Sequence, residues 1–252
     1  MLFNPMDAYI GGSLDAYGEF SEGEVGLFRQ ILRPGATALD IGANIGALTL
    51  PMARMVGDAG RVIAWEPQRI VFQTLCANLA LNGVGNVTAL LAAATRAPGQ
   101  VSVPQPDYAR PGNFGALSLA GATAGEAVEG RPVDALGLSA CDFMKVDVEG
   151  MEREVLAGAA ATIVRHRPVL YVENDRPEQS EALLAAILGL GYRAWWHLPP
   201  LFDRENFRGN RENIFPGTVS VNVLALPRES RFGAARMTEI LAPDSDWRAA
   251  RR

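Results

Sequence analysis

The chain predicts an α/β fold in which a seven-stranded, largely parallel sheet carries helices on both faces. Three observations lead there. Strand-like and helix-like runs alternate at short spacing from residue 37 onward, the pattern of a parallel sheet. The first of these strands turns sharply into a helix through Asp40-Ile41-Gly42-Ala43-Asn44-Ile45-Gly46. Three of the strands end on a carboxylate, at Glu66, Asp147 and Glu173, and the carboxyl ends of strands are where open α/β sheets bind ligands.

Composition bounds the class. At 252 residues, 48% hydrophobic and 20% charged, the chain fits one α/β domain with insertions and can bury a substantial core. The net charge is −5 and the 23 basic residues form no run, so a nucleic-acid partner is not expected. Cys76 and Cys141 lack zinc-ligand spacing and read as reduced packing residues. Met1 to Asp7 has neither a basic n-region nor a long apolar core, and no apolar stretch approaches the ~20 residues of a membrane span. The expectation is a cytoplasmic protein without a membrane partner.

Each element follows from local pattern. Ser21-Glu22-Gly23-Glu24 has capping-box spacing ahead of Val25, Leu27, Phe28, Ile31 and Leu32, predicting a helix to Arg33 that packs on the sheet from an N-terminal segment, 1–36. Strand one covers about 37–41, a helix 46–56, and strand two 61–65, ending in Glu66-Pro67. A helix over 68–81 closes at Asn82-Gly83, and strand three runs over 87–93. The Gly- and Pro-rich stretch 96–132 reads as an insertion, with a weak strand signal at 100–103 and a loop at Asn113 to Ser118.

Strand four, about 142–148, ends in Asp147-Val148-Glu149-Gly150 and feeds a helix with Glu152 and Glu154 in its first turn, where the helix dipole favours them. Strand five, 169–172, ends in Glu173-Asn174. Asp175 with Glu178 then predicts a second capping box for a helix through Leu190. Strands six and seven are Tyr192 to Trp196 and Val219 to Ala225. Between them, 197–217 reads as a lid whose aromatic residues suit an acceptor or a second copy in a homodimer equally well. The domain thus spans 37–226, and the tail 227–252 predicts one short helix near Ala234 to Leu241.

The chemistry concentrates at the strand ends. Gly42 and Gly46 open backbone conformations closed to other residues and let a ligand approach the main chain. A dinucleotide fold would place a third glycine where this chain has Asn44. Asp40 would repel a pyrophosphate but suits a cation such as the aminopropyl-sulfonium part of S-adenosylmethionine; the alternative is a tight turn without ligand. Glu66 can accept two ribose hydroxyls at roughly 1.5–3 kcal/mol each, or be a solvated acid. Asp147 shares a strand face with Phe143 and Lys145 and should open onto the crevice, unless an ion pair with Lys145 is its whole role. Glu149 can cap the next helix. His166, between two arginines at a helix end, reads as a partner of terminal carbonyls. His197 can reach the crevice as a general base or be a plain loop histidine, and Trp195 and Trp196 read as core or pocket wall.

Taken together these segments resemble the FkbM-type family of S-adenosylmethionine-dependent methyltransferases. The matching blocks are Ala38 to Gly46, Val62 to Pro67 with Asn78 and Asn82 behind it, and Phe143 to Glu152 followed by Val155-Leu156. The likeness spans about 20–225. It implies a class I methyltransferase (Rossmann-like) sheet of seven strands with the last antiparallel, and methyl transfer to a hydroxyl of a sugar or secondary metabolite, a small molecule or a glycan. It also implies that Asp40, Gly42, Asn44, Gly46, Glu66, Pro67 and Asp147 form the donor pocket. The family often carries Asn-x-Gly-Gly before strand four, whereas Asn113-Phe114-Gly115-Ala116 keeps only the first glycine.

Asp147 with Glu173-Asn174 is also similar in position to the acids and the acid-Asn pair that hold a divalent cation in catechol-type O-methyltransferases, which implies Mg²⁺ as a second expectation; acidic strand ends without metal are equally ordinary. In-line transfer needs acceptor oxygen, methyl carbon and sulfur held collinear, and orientation can supply up to ~7–11 kcal/mol. Asp147 or His197 is the expected base, with Glu173 a third candidate. Two other readings stand beside this one: an NAD-linked oxidoreductase, against which Asn44 and Asp40 speak, and a non-catalytic module that binds S-adenosylmethionine.

Overall fold

Thr37–Ile41 (β1) is buried at all five positions, as a strand in the middle of a sheet covered on both faces must be. The computed structural model describes residues 1–250. Before β1 come α1 (Ile10–Tyr17) and α2 (Glu22–Ile31); after it follow α3 (Thr49–Val56), β2 (Arg61–Trp65), α4 (Arg69–Leu81) and β3 (Val87–Leu90). Next comes β4 (Ala92–Ala93), and the insertion holds β5 (Gly99–Val103) and β6 (Glu126–Gly130). Then come β7 (Phe143–Val146), α5 (Glu152–Gly158), α6 (Ala160–His166), β8 (Val169–Glu173), α7 (Pro177–Gly189), β9 (Tyr192–His197), β10 (Asn222–Pro227), β11 (Thr238–Ile240) and α8 (Trp247–Ala250).

The main sheet runs β11-β9-β10-β8-β7-β1-β2-β3. β1 pairs in parallel with β2 and β7, and β7 with β8, whereas β10 is antiparallel to both β8 and β9. The seven expected strands are present with the seventh antiparallel, and β11 adds an eighth at the edge. Alternation along β1 and β7 sends Leu39, Ile41, Met144 and Val146 into one core layer and Ala38 and Phe143 into the other. In the second layer, Phe28 of α2 meets the rings of Phe143 and Tyr171 edge-on, each at 5.0 Å. Such pairs add about 0.5–1.5 kcal/mol beyond the area they bury.

Several expectations are corrected. Strand three breaks at Leu91, and Ala92–Ala93 leaves the main sheet to pair with β6 in a three-stranded sheet, β4-β6-β5. The tail forms β11 rather than a helix at 234–241, because the open edge of β9 offers hydrogen bonds and Ile240 reaches the core. Asp175 and Glu178 form no capping box: α7 starts at Pro177 behind Arg176, with no side-chain cap. At α2, Ser21 Oγ donates to the Glu24 carboxylate at 2.7 Å instead of capping the backbone.

The 197–217 stretch is fastened to α1. Arg208 N–H donates to the Tyr17 carbonyl at 3.1 Å, Ile214 N–H to the Tyr17 hydroxyl at 2.7 Å, and Asn210 Nδ2 to the Ala16 carbonyl at 3.1 Å.

Candidate active site

The turn after β1 brings two strand ends into contact. Gly42 has φ +85°, and a Cβ there would collide with the Asp147 carbonyl oxygen. Asn44 stands at φ +48°, a conformation asparagine tolerates, and its Oδ1 accepts from Ile45 N–H at 2.8 Å. Its own N–H donates to Glu66 Oε2 at 3.0 Å, while Gln68 N–H donates to Glu66 Oε1 at 2.8 Å. Glu66 is 3% exposed, and burial pushes its carboxyl up to about 7 against the pull of those two donors.

Asp40 does not reach this cleft. It is 0% exposed, accepts from the Thr49 hydroxyl at 2.6 Å, and lies 3.2 Å from Lys145 Nζ. In register, Asp40 sits directly across from Lys145 and pairs with that ammonium. Gly46 is likewise set back, behind Leu75 of α4. Lys145 donates to the Gly42 carbonyl at 3.0 Å and stands 3.2 Å from Asp147 Oδ2. Burial opposes its charge, but Asp147, Asp40 and Glu24 outweigh burial and hold its pKa above the ordinary lysine value. The ion pair foreseen as the plain alternative for Asp147 therefore exists. Asp147 still leaves 36% of its side chain exposed on the cleft wall.

The cleft measures about 330 Å³, at the small-molecule end of the pocket range. Gly42, Asn44, Glu66, Pro67 and Asp147 line it; Asp40, Gly46 and His197 do not. His197 lies on the far side of β10, where its Nδ1 is 2.8 Å from the Tyr171 hydroxyl and burial pushes its pKa down to about 4. It is a partner of Tyr171, not a base at the cleft. His166 Nε2 contacts the Leu138 carbonyl at 3.0 Å, outside its own helix.

Beyond Asp147 the rim is acidic. Glu149 takes the Arg176 guanidinium at 2.7 Å, and burial, followed by Asp147, pushes its carboxyl up to about 7. Capping falls to Glu152 instead, which accepts from Val148 and Gly150 N–H at 3.2 and 3.0 Å. Glu173 faces the cleft, and burial, then Asp147 and Glu149, raise its pKa well above the usual carboxylate range. Asn174 turns away to donate to Ser180 Oγ at 2.9 Å.

Oxygens of Asp147, Glu149 and Glu173 come within 4.8 Å of one another. Two of these acids already hold fixed cations, Lys145 and Arg176, and the expected amide ligand is turned away. Those two acids are thus already neutralised by fixed cations and the acid-Asn pair is broken up, so this set does not fit Mg²⁺.

Two features were not foreseen. Glu24 of α2 enters the cleft wall as a buried carboxyl beside Ser21. The insertion closes over Glu66: Gln68 Nε2 donates to the Phe114 carbonyl at 2.8 Å, and the Tyr108 hydroxyl donates to Gln68 Oε1 at 3.1 Å. The capping-box spacing marked Glu24 but gave it a helix-local role, and nothing in the sequence pointed Gln68 at a loop 46 residues away.

A sheet of this order, with a glycine turn after its first strand and an acid at the end of its second, defines a class I methyltransferase fold. The chain belongs to the methyltransferase FkbM domain family, whose model matches residues 40–194. Among solved structures, methyltransferase FkbM from Methylobacillus flagellatus KT is similar at 20% identity and TM-score 0.53, over 81% of this chain and 50% of that one. The O-methyltransferase TomG from Streptomyces achromogenes, involved in tomaymycin synthesis and solved in complex with S-adenosylmethionine, is similar at 17% identity and TM-score 0.50, over 81% of this chain and 79% of that one. The chain thus spans half the length of the Methylobacillus protein. No curated protein matches it.

Proposed function

We propose that this protein transfers a methyl group from S-adenosylmethionine to a hydroxyl oxygen of a small-molecule or glycan acceptor, a sugar or a secondary metabolite. One observation carries the reading: a sealed carboxylate, Glu66, held by the main chain of the glycine turn in a cleft of small-molecule size. Each carboxylate oxygen has two lone pairs, so Glu66 can take ribose hydroxyls beside its two backbone donors. Bare main chain at Gly42 and the Asn44 turn would lie along the rest of the donor, with Pro67 beside Glu66. Family membership and the bound donor in TomG support the same assignment.

Bound there, the sulfonium would supply an electrophilic methyl carbon. The S–CH₃ bond breaks as the O–CH₃ bond forms, and the hydroxyl proton passes to a base. Asp147 is that base in this reading, since it is open to the cleft and fixed by Lys145. Calorimetry with S-adenosylhomocysteine tests the donor site. Wild type should bind it, Glu66→Ala should bind at least tenfold more weakly, and NADH titrated alongside should give no heat. Equal affinity of wild type and Glu66→Ala refutes the ribose assignment. Mass spectrometry with labelled donor and an acceptor pool then reads the transfer itself.

A further inference from the structure

Part of the cleft wall comes from outside the segment that the family model matches. Tyr9 and Glu24 precede residue 40, and Thr218, Ser220 and Asn222 follow residue 194, yet all five line the cleft. The chain leaving the 197–217 stretch is pinned where Leu201 N–H donates to the Thr218 carbonyl at 3.2 Å and Ser220 N–H to the Pro199 carbonyl at 3.0 Å. Alternation then sends Val219 and Val221 toward the core and leaves Thr218, Ser220 and Asn222 on the other face. Ser220 lies within hydrogen-bond reach of the buried Glu24 carboxyl. Asn222 is 5% exposed, and among the described residues no group pairs with its side-chain amide. That amide is not sealed, and the surface it keeps opens on the cleft. A polar side chain this deep is almost always paired, so its free donors and acceptor mark where a ligand's polar groups arrive. Tyr9 adds an apolar surface: one face of its ring stacks on Phe215 at 5.7 Å and 16°, and the residue is 38% exposed.

We propose that Thr218, Ser220 and Asn222 form the acceptor site, and that it takes an uncharged pyranose with its hydroxyls on this polar row and its C–H face on Tyr9. The inference rests on the donor reading above and narrows the acceptor of that same cleft. Positions two apart on an extended chain lie roughly 6.5 Å apart, a spacing that neighbouring groups around a pyranose can span. Hydroxyls and a primary amide both donate and accept, so the row matches a ring whose own hydroxyls do the same. A phenol brings one hydroxyl to three such partners and leaves the Asn222 amide unanswered, and a site built to hydrogen-bond its ligand rejects the analogue that lacks the group. An ammonium only donates, so it cannot meet the Asn222 N–H groups. A carboxylated sugar would bring negative charge to a wall that already carries Glu24 and Asp147.

The test uses the whole chain saturated with S-adenosylhomocysteine at pH 7, with the methyl glycosides of glucose, galactose, mannose, rhamnose and fucose followed by saturation-transfer difference NMR. Tetrahydropyran, the same ring without its hydroxyls, p-cresol and methyl glucuronide serve as comparisons. At least one uncharged pyranoside should bind, and at least tenfold more tightly than each comparison compound. Asn222→Leu and, independently, Ser220→Ala should each weaken that pyranoside by roughly tenfold without changing the affinity for S-adenosylhomocysteine. Tyr9→Ala should lower the saturation reaching the ring C–H protons. Failure of every pyranoside to bind, equal or tighter binding of a comparison compound, or unchanged pyranoside affinity in both Asn222→Leu and Ser220→Ala overturns this inference alone; absence of S-adenosylhomocysteine binding overturns the donor reading as well.

Discussion

Lys145 Nζ and the Asp40 carboxylate lie 3.2 Å apart on adjacent strands, both side chains almost wholly sealed. Nζ also donates to the Gly42 carbonyl at 3.0 Å. One cation thereby ties β1, the glycine turn and Asp147 together. Removing it strands a buried negative charge. Lys145→Met should therefore destabilise the fold by about 3–5 kcal/mol, read from urea unfolding. An unchanged midpoint would show that Asp40 is satisfied without it.

Glu66 gives a pH signature. Its folded carboxyl is pushed up to about 7 from an ordinary 4.5, so the folded state holds the proton more tightly than the unfolded chain. The stability this contributes is complete below 4.5 and is lost as pH climbs to about 7. Urea midpoints from pH 5 to 8 should fall less steeply for Glu66→Gln than for wild type. Affinity for S-adenosylhomocysteine should rise in wild type as pH passes 7, since the ionised carboxylate is the better acceptor.

The two turn glycines should respond differently. At Gly42 a methyl group meets the rigid Asp147 carbonyl; at Gly46 it meets the far end of the Leu75 side chain at 2.7 Å. Both positions have positive φ, which alone costs an L-residue on the order of 1–2 kcal/mol. Gly42→Ala should lose measurable donor binding in calorimetry. Gly46→Ala should lose stability in thermal melts yet keep most of its binding.

His197→Phe should leave donor affinity and turnover near wild type. It removes the partner of the Tyr171 hydroxyl, which is buried, so the cost should appear as about 1–3 kcal/mol of stability. A large fall in kcat with unchanged stability would return His197 to the chemistry.

What the sequence made legible was local. Strand-to-helix alternation, the glycine turn and the carboxylate at the end of β2 can each be read within a few residues. α1 escaped because Gly11 and Gly12 argue against a helix; it forms because Gly11 packs where a Cβ would lie 2.6 Å from the Asn4 carbonyl. β6, Glu-Ala-Val-Glu-Gly, has little strand character of its own and exists through its pairing with β5. The pairing of Asp40 with Lys145 could not be read because β1 is buried on both faces, and alternation cannot tell a ligand-facing acid from one that meets a lysine on the next strand. His197 ends the same rim as Asp147, but β10 inserts between β8 and β9, and strand order is not written in local pattern.

β11 has a consequence for handling the protein. Its three residues cover the outer side of β9, whose Trp195 and Trp196 would otherwise border an open ladder of unpaired backbone groups. Such an uncovered border is a template for sticking to other chains. Trimming the chain before Thr238 would leave the residues that line the cleft in place and yet bare that border, which should show as clumping on concentration.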